Sequence, residues 1–286
     1  MLDSTVDCKV KLRRKMQSLP LSIIMPVFNE RETVASIAQR VLAEVPVALE
    51  LIIVDDGSTD GSAEIIDALA RNDSRILAIH KTNGGKTSAL KAGFKRSRGE
   101  IVIIQDADLE YDPAEIPHVL QPILENHADV VYGSRFLVRK ASRVLYFYHY
   151  VANRVLTLLS NALTNLNMTD VETGYKALRG DIIRNMIIES SGFGIEIEIT
   201  AKIAKLGVSI YEVPISYYGR TYEQGKKIGF KDGVVALWYI VRFNLLCSRN
   251  KSFREIPNLN VNKTRNLSRT PASAVSAKSK VHRVSG

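Results

Sequence analysis

The stretch IVIIQDADLEYDP sets Asp106, Asp108, Glu110 and Asp112 directly behind the apolar run Ile101 to Ile104. A run of β-branched residues ended by charge reads as a buried parallel strand, and open α/β sheets receive their ligands at the carboxyl ends of such strands. In extended backbone Asp106 and Asp108 face the same side, because side chains alternate with period two. Two carboxylates side by side repel unless a cation intervenes. Mg2+ or Mn2+ binds through one or two carboxylates and fills its shell with substrate phosphate and water. A solvated acidic loop is the plain alternative, and the buried strand ahead of it favours the metal.

Other polar groups gather at the ends of similar runs. VDDGSTDGS places Asp55 and Asp56 at one strand end. Turn and N-cap chemistry accounts for those residue types, and a carboxylate there can equally accept hydrogen bonds from a nucleobase edge or a ribose. NGGKTSALKAGF is not a P-loop, because His80 stands where the first glycine of that motif belongs. Lys86 is left to meet an anion at a helix amino end, or to face solvent. No G-x-G-x-x-G occurs, so a dinucleotide site lacks its phosphate turn. YGSRF offers Arg135, and YYGRTYEQGKKIGFKDG offers Arg220, Lys226, Lys227 and Lys231 against Glu223 and Asp232. Beside a metal this composition suits phosphate oxygens, arginine bidentately and lysine as a point charge; alone it is an exposed turn.

These groups require a scaffold. LSIIMPVF, LELIIVDD, RILAIH, EIVIIQDAD and ADVVYGS are short apolar runs spaced by helical patterns. That alternation predicts βαβ units and an α/β fold with a mostly parallel sheet flanked by helices. Beyond Gly133 the pattern predicts an aromatic-rich helix over 144–165, a strand in TGYKALR, and helices near Asp181 and across EIEITAKIAKLG. A strand in SIYEVPISYY and a helix over 231–246 follow. No linker or repeat interrupts residues 20–246, so one domain is expected over 19–247, with a carboxyl-terminal elaboration.

Charge sorts the remaining possibilities. The net charge is +9, yet residues 1–18 carry five Lys/Arg against two Asp, and residues 250–286 carry eight against one Glu. The middle is therefore near neutral, which removes the case for a nucleic-acid surface. The amino-terminal segment 1–18 and the tail 248–286 read as basic, the tail as disordered and attracted to anionic lipid. Cys8 and Cys247 form neither a disulfide framework nor a metal cluster, which fits the cytoplasm, and MLDSTVDCKVKLRRK lacks the apolar run of a signal peptide. VLYFYHYVANRVLTLLSNAL is broken by His149, Asn153 and Arg154, and GVVALWYIVRFNLLC holds Arg242, so neither is expected to span a bilayer. Lying on the cytoplasmic face of a membrane stays open.

Taken in order, MPVFNE, VDDGSTDGS, QDADLE and YGSRF resemble the family 2 glycosyltransferases of GT-A fold. DVETGYKALRGDII, FGIEIEITAKIAKLG and EVPISYYGRTYEQGKKI narrow the resemblance to polyprenyl-phosphate sugar transferases of the dolichol-phosphate mannose synthase type. It implies inverting transfer of a hexose from GDP-mannose or UDP-glucose to a polyprenyl phosphate, with Mg2+ or Mn2+. By the same resemblance Pro26, Phe28, Glu30, Asp55 and Asp56 hold the base and ribose. Asp106 and Asp108 take the metal-bound diphosphate, while Arg135, Arg220 and Lys226 meet phosphates. Glu110 stands where the family often has Gln, an extra carboxylate that either joins the metal shell or faces water. Tyr146, Phe147, Tyr148 and Tyr150, with the basic tails, are the candidate contacts to an anionic membrane. A hydroxyl acceptor in cell-surface glycan synthesis, with Asp170 or Glu172 as base, is the rival within the enzyme class. A non-catalytic sugar-nucleotide-binding protein is the rival outside it. Oligomeric state leaves no signal.

Overall fold

The computed structural model describes residues 21–137, 146–192, 194–219 and 230–257. The five apolar runs fold as β1 (Leu21–Val27), β2 (Leu49–Asp55), β3 (Ile76–His80), β4 (Ile101–Ile104) and β5 (Val130–Ser134). β6 (Lys176–Arg179) and β7 (Ile210–Pro214) complete a seven-stranded sheet ordered β3-β2-β1-β4-β6-β5-β7. All pairings are parallel except those of β6, which runs antiparallel between β4 and β5.

Both faces of the sheet are covered, which is why its strands read as continuous apolar runs rather than alternating ones. Ile23 and Met25 of β1 pack with Val34, Ile37 and Val41 of α1 (Val34–Glu44). Ile24, between them, faces the opposite layer with Ala89, Leu90 and Phe94 of α3 (Lys86–Arg96). A Cβ on Gly93 would stand 2.3 Å from the Ile24 side chain, so glycine is what lets α3 press onto β1. The remaining helices of this half are α2 (Ser62–Asn72) and α4 (Ile116–Leu124).

In the second half α5 (Phe147–Thr164), α6 (Gly180–Asn185), α7 (Ile195–Ala204) and α8 (Phe230–Val241) follow, and α8 continues as a π-helical turn, Arg242–Leu246. Leu156, Ile197, Ala201, Tyr239 and Phe243 form a separate apolar cluster that joins α5, α7 and α8.

Packed structure continues past residue 247. A last short helix, α9 (Arg249–Ser252), leads to Phe253, which is 3% exposed and forms an antiparallel bridge with Met186. The Arg254 N–H donates to the Asn185 carbonyl at 2.8 Å. A lone aromatic in a polar segment carries no periodic signal, and its packing in the apolar cluster that holds Met186 is what makes it core. Residues 1–20 and 258–286 lie outside the described residues. Phe253→Ala should lower stability by about 3 kcal/mol in a urea titration; an unchanged midpoint would place residues past 247 outside the folded unit.

Candidate active site

The loops after β1 and β2 are stitched together. The Asn29 N–H donates to Ser58 Oγ (3.0 Å), the Thr59 N–H donates back to Asn29 Oδ1 (2.8 Å), and the Arg31 N–H donates to Asp60 Oδ2 (3.0 Å). Asn29 takes a left-handed φ of 55°, which asparagine tolerates better than most residues. Val27 lies in register with Asp55, and the Asp56 N–H donates to the Val27 carbonyl at 2.8 Å, so Pro26 and Phe28 flank the strand residue that meets both acids, and Glu30 follows on the same loop. Phe28 is 40% exposed, a ring at the surface rather than in the core. Glu30 accepts from the Thr33 hydroxyl at 3.0 Å.

Asp55 and Asp56, adjacent in sequence, have different surroundings. Asp56 accepts from Lys81 Nζ (2.5 Å) and from the N–H groups of Gly84 (3.1 Å) and Gly85 (2.6 Å). Its carboxylate is consumed in holding the loop that leads into α3. That loop delivers Lys86 to the sheet edge, where Nζ lies 3.1 Å from Asp106 and 3.2 Å from Glu196 of α7. Burial alone would pull the Lys86 ammonium down; Asp106 and Glu196 outweigh it and hold the group well above its ordinary value.

β4 ends at Ile104, so the QDAD stretch is a turn and strand alternation does not govern it. Leu109 adopts φ 62°, sparsely populated for a side chain of its size, and the Glu110 N–H donates to Asp108 Oδ1 at 3.1 Å. The Glu110 carboxylate accepts from the Tyr217 hydroxyl at 2.8 Å, and its carbonyl accepts from the Tyr218 N–H at 2.9 Å. Asp106, Asp108 and Glu110 thus do not close into a three-carboxylate cage, and no trio of His, Cys, Asp or Glu among the described residues is arranged to hold an ion. Tyr111 stacks on Tyr175 at 4.8 Å beneath the turn, and its hydroxyl accepts from the Gly174 N–H at 2.9 Å. A Cβ on Gly174 would stand 2.7 Å from Asp106 Oδ2, so glycine keeps the space beside that carboxylate clear.

Arg135 forms a bidentate pair with Asp170, Nε to Oδ2 at 2.7 Å and Nη2 to Oδ1 at 2.8 Å, and its guanidinium lies 5.0 Å from the centre of the Tyr217 ring. Burial would raise the Asp170 carboxyl, but Arg135 outweighs it and keeps it below its usual range. Asp170, one candidate base, is therefore tied to the arginine. Glu172, the other, is pushed up to about 7 by burial and by Glu196, against Lys176 and Arg135. Lys176 is pulled down to about 8 by burial, and its ammonium donates to the Val171 and Thr173 carbonyls. Arg220 and Lys226 lie outside the described residues. Glu196, Tyr111 and Gly174 escaped the sequence reading. Glu196 sits in an apolar-rich helix, and the other two look like ordinary core and turn residues.

Comparison with known proteins identifies the family and the fold. Residues 22–186 match the family described as glycosyl transferase family 2. The chain is 32% identical over 218 residues to an undecaprenyl-phosphate mannosyltransferase of Micrococcus luteus, covering 72% of this chain and 86% of that one. It is 30% identical over 215 residues to a polyprenol monophosphomannose synthase of Mycolicibacterium smegmatis, covering 72% and 80%. Its fold matches glucosyl-3-phosphoglycerate synthase of Mycobacterium tuberculosis, solved with Mn2+, uridine diphosphate and glucosyl-3-phosphoglycerate. The TM-score is 0.62 and the identity 19%, over 82% of this chain and 83% of that one, a likeness that speaks for the fold. The fold is that of a GT-A glycosyltransferase. The chain belongs to glycosyltransferase family 2 and is an enzyme of the kind typified by dolichol-phosphate mannose synthase.

The Glu172 shift has a signed consequence. Between its ordinary 4.5 and about 7 the folded chain keeps a proton that the unfolded chain has released, so this group makes stability fall as pH rises through that window. Glu172→Gln should remove the slope and gain roughly 1–2 kcal/mol over the parent above the window, read by denaturant titration at several pH values. Parallel pH curves for parent and variant would refute the shift.

Proposed function

We propose that this glycosyltransferase transfers a hexose, with inversion, from GDP-mannose or UDP-glucose to a polyprenyl phosphate, assisted by Mg2+ or Mn2+. One observation carries the acceptor. α7, which supplies Glu196 to the buried polar cluster, packs on α8, and α8 packs on α5. The outer sides of α5 and α8 expose large apolar residues: Tyr148 is 84% exposed, Leu158 67% and Trp238 54%. A polar site one helix away from an apolar surface suits a substrate that is phosphate at one end and hydrocarbon at the other. The two relatives named for lipid-phosphate acceptors support the same reading. No helix among the described residues is long and apolar enough to cross a membrane, so contact with the anionic cytoplasmic face would be peripheral.

The residues fit a divalent ion. Asp106 and Asp108 are hard oxygen donors on one turn, Gly174 leaves room beside Asp106, and an ion held by one or two carboxylates takes its other ligands from the diphosphate. When bound, such an ion offsets charge growing on the departing nucleoside diphosphate. Lys86 fixes the Asp106 carboxylate for that task. Phe28 and the Asp55 loop receive the base and ribose. Arg135, oriented by Asp170 and Tyr217, would meet phosphate; Arg220 and Lys226, outside the described residues, are assigned the same role from their chemistry alone. An acceptor phosphate oxygen is already ionised, so the displacement requires no strong base. That agrees with Asp170 being tied to Arg135.

The purified chain, given GDP-mannose or UDP-glucose, Mg2+ and a short polyprenyl phosphate, should carry radiolabel into the organic phase. Asp108→Asn should lower that rate by about 100-fold or more. Label entering only a sugar hydroxyl, or none with either donor, would defeat the proposal. Replacing Tyr148 and Trp238 by Ser should reduce co-sedimentation with anionic vesicles several-fold while nucleotide affinity holds; undiminished binding would place the membrane contact elsewhere.

A further inference from the structure

An imidazole stands between two carboxylates at the rim of the nucleotide wall. His80 ends β3 in register with Asp55, which ends β2. Its Nδ1 lies 3.1 Å from Asp55 Oδ2, and its Nε2 lies 3.0 Å from Asp67 Oδ1 on α2. A neutral imidazole has one N–H and one lone pair. It can satisfy one acceptor-only carboxylate, and against the other it would set lone pair to lone pair. Both contacts at hydrogen-bond distance call for the imidazolium. Asp55 and Asp67 are the charged groups that face the ring, since the adjacent Lys81 turns its ammonium to Asp56 at 2.5 Å. The Asp55 hydrogen bond, opposed by burial and reinforced by Asp67, raises the imidazole above its ordinary 6.5.

Asp55 is 4% exposed, and its other oxygen accepts from the Ser58 N–H at 2.9 Å. Each of its oxygens thus has one fixed donor and a second lone pair to offer. We infer that His80, bridged to Asp67, is a positioning residue that holds the buried Asp55 carboxylate aimed at hydrogen-bond donors of the nucleotide's base or ribose. This rests on Asp55 being a nucleotide contact, as in the function proposed above. His80 would act through Asp55 from the outer side of the wall, and Asp67 would tune it from one residue further out. Loss of the imidazolium proton removes the positive charge beside a nearly buried carboxylate and leaves one N–H for two carboxylates, so the bridge to Asp67 that fixes the ring is lost or the bond to Asp55 is, and either loosens the aim of Asp55.

The test is the affinity of the full chain for UDP and GDP by calorimetry from about pH 5.5 to about pH 9, with the ring followed by NMR. Parent affinity should fall about tenfold across a midpoint above 6.5 that coincides with the His80 titration. Asp67→Asn, which leaves His80 and Asp55 intact, should move that midpoint down while keeping the low-pH affinity. His80→Gln should bind weakly at every pH, without the step. Comparing variants at each pH cancels the ionisation of the nucleotide's own phosphates, and melting curves establish that the variants are folded. An affinity step that Asp67→Asn does not move, or that persists in His80→Gln, overturns the role of His80. So does a ring that titrates while affinity stays level, with the proposed function untouched. A folded parent that binds neither nucleotide overturns both.

Discussion

The Lys86 ammonium, largely buried between Asp106 and Glu196, joins the two halves of the site. A cation removed from water at that depth is expensive unless it is paired, so its position obliges both carboxylates to converge on it. Each comes from a different part of the chain: the ammonium from the start of α3, one carboxylate from the turn after β4, the other from α7. Asp56 sits one step behind, its lone pairs spent on the loop that presents the lysine. This charge helps tie the loop that Asp56 holds to the second half of the chain.

Around it the fold supplies space and stiffness. β1, β2 and β4 are parallel neighbours, so the loops after them emerge at one sheet edge. Tyr111, Tyr175 and Tyr217 pack beneath the acidic turn, and Glu110 and Gly174 are each hydrogen-bonded to one of those tyrosine hydroxyls. The aromatic floor thus fixes a turn whose Leu109 conformation is unfavourable by itself. In that setting the extra carboxylate of Glu110 has a structural partner in Tyr217.

The titration behaviour of the buried acids bears on the chemistry. Asp170 stays ionised because Arg135 grips both of its oxygens, while Glu172, whose Oε1 has no hydrogen-bond partner among the described residues, is raised toward neutrality by burial and by Glu196. Asp170 is thereby taken out of the running as a base for a sugar hydroxyl. The lipid phosphate proposed as acceptor arrives already charged and asks less of these residues.

Much of this was readable along the chain. Burial of strands on both faces writes continuous apolar runs, so β1 to β5 and the helices between them follow from local pattern, and the acids of VDDGSTDGS and QDADLE fall at strand ends as anticipated. Periodicity records how deeply a residue lies, and says nothing of which residue it meets. The reversed direction of β6, the surrender of Asp56 to a loop, the pairing of Asp170 with Arg135, the docking of Phe253 and the Lys86–Glu196 contact all join residues far apart in sequence. The Thr87 hydroxyl, for example, reaches the carbonyl of Gly192. Residue types and strand-end placement were therefore local properties that the sequence determined by itself. The partner of each charge was decided only when the sheet closed and the cost of burying that charge selected which opposite group stood beside it.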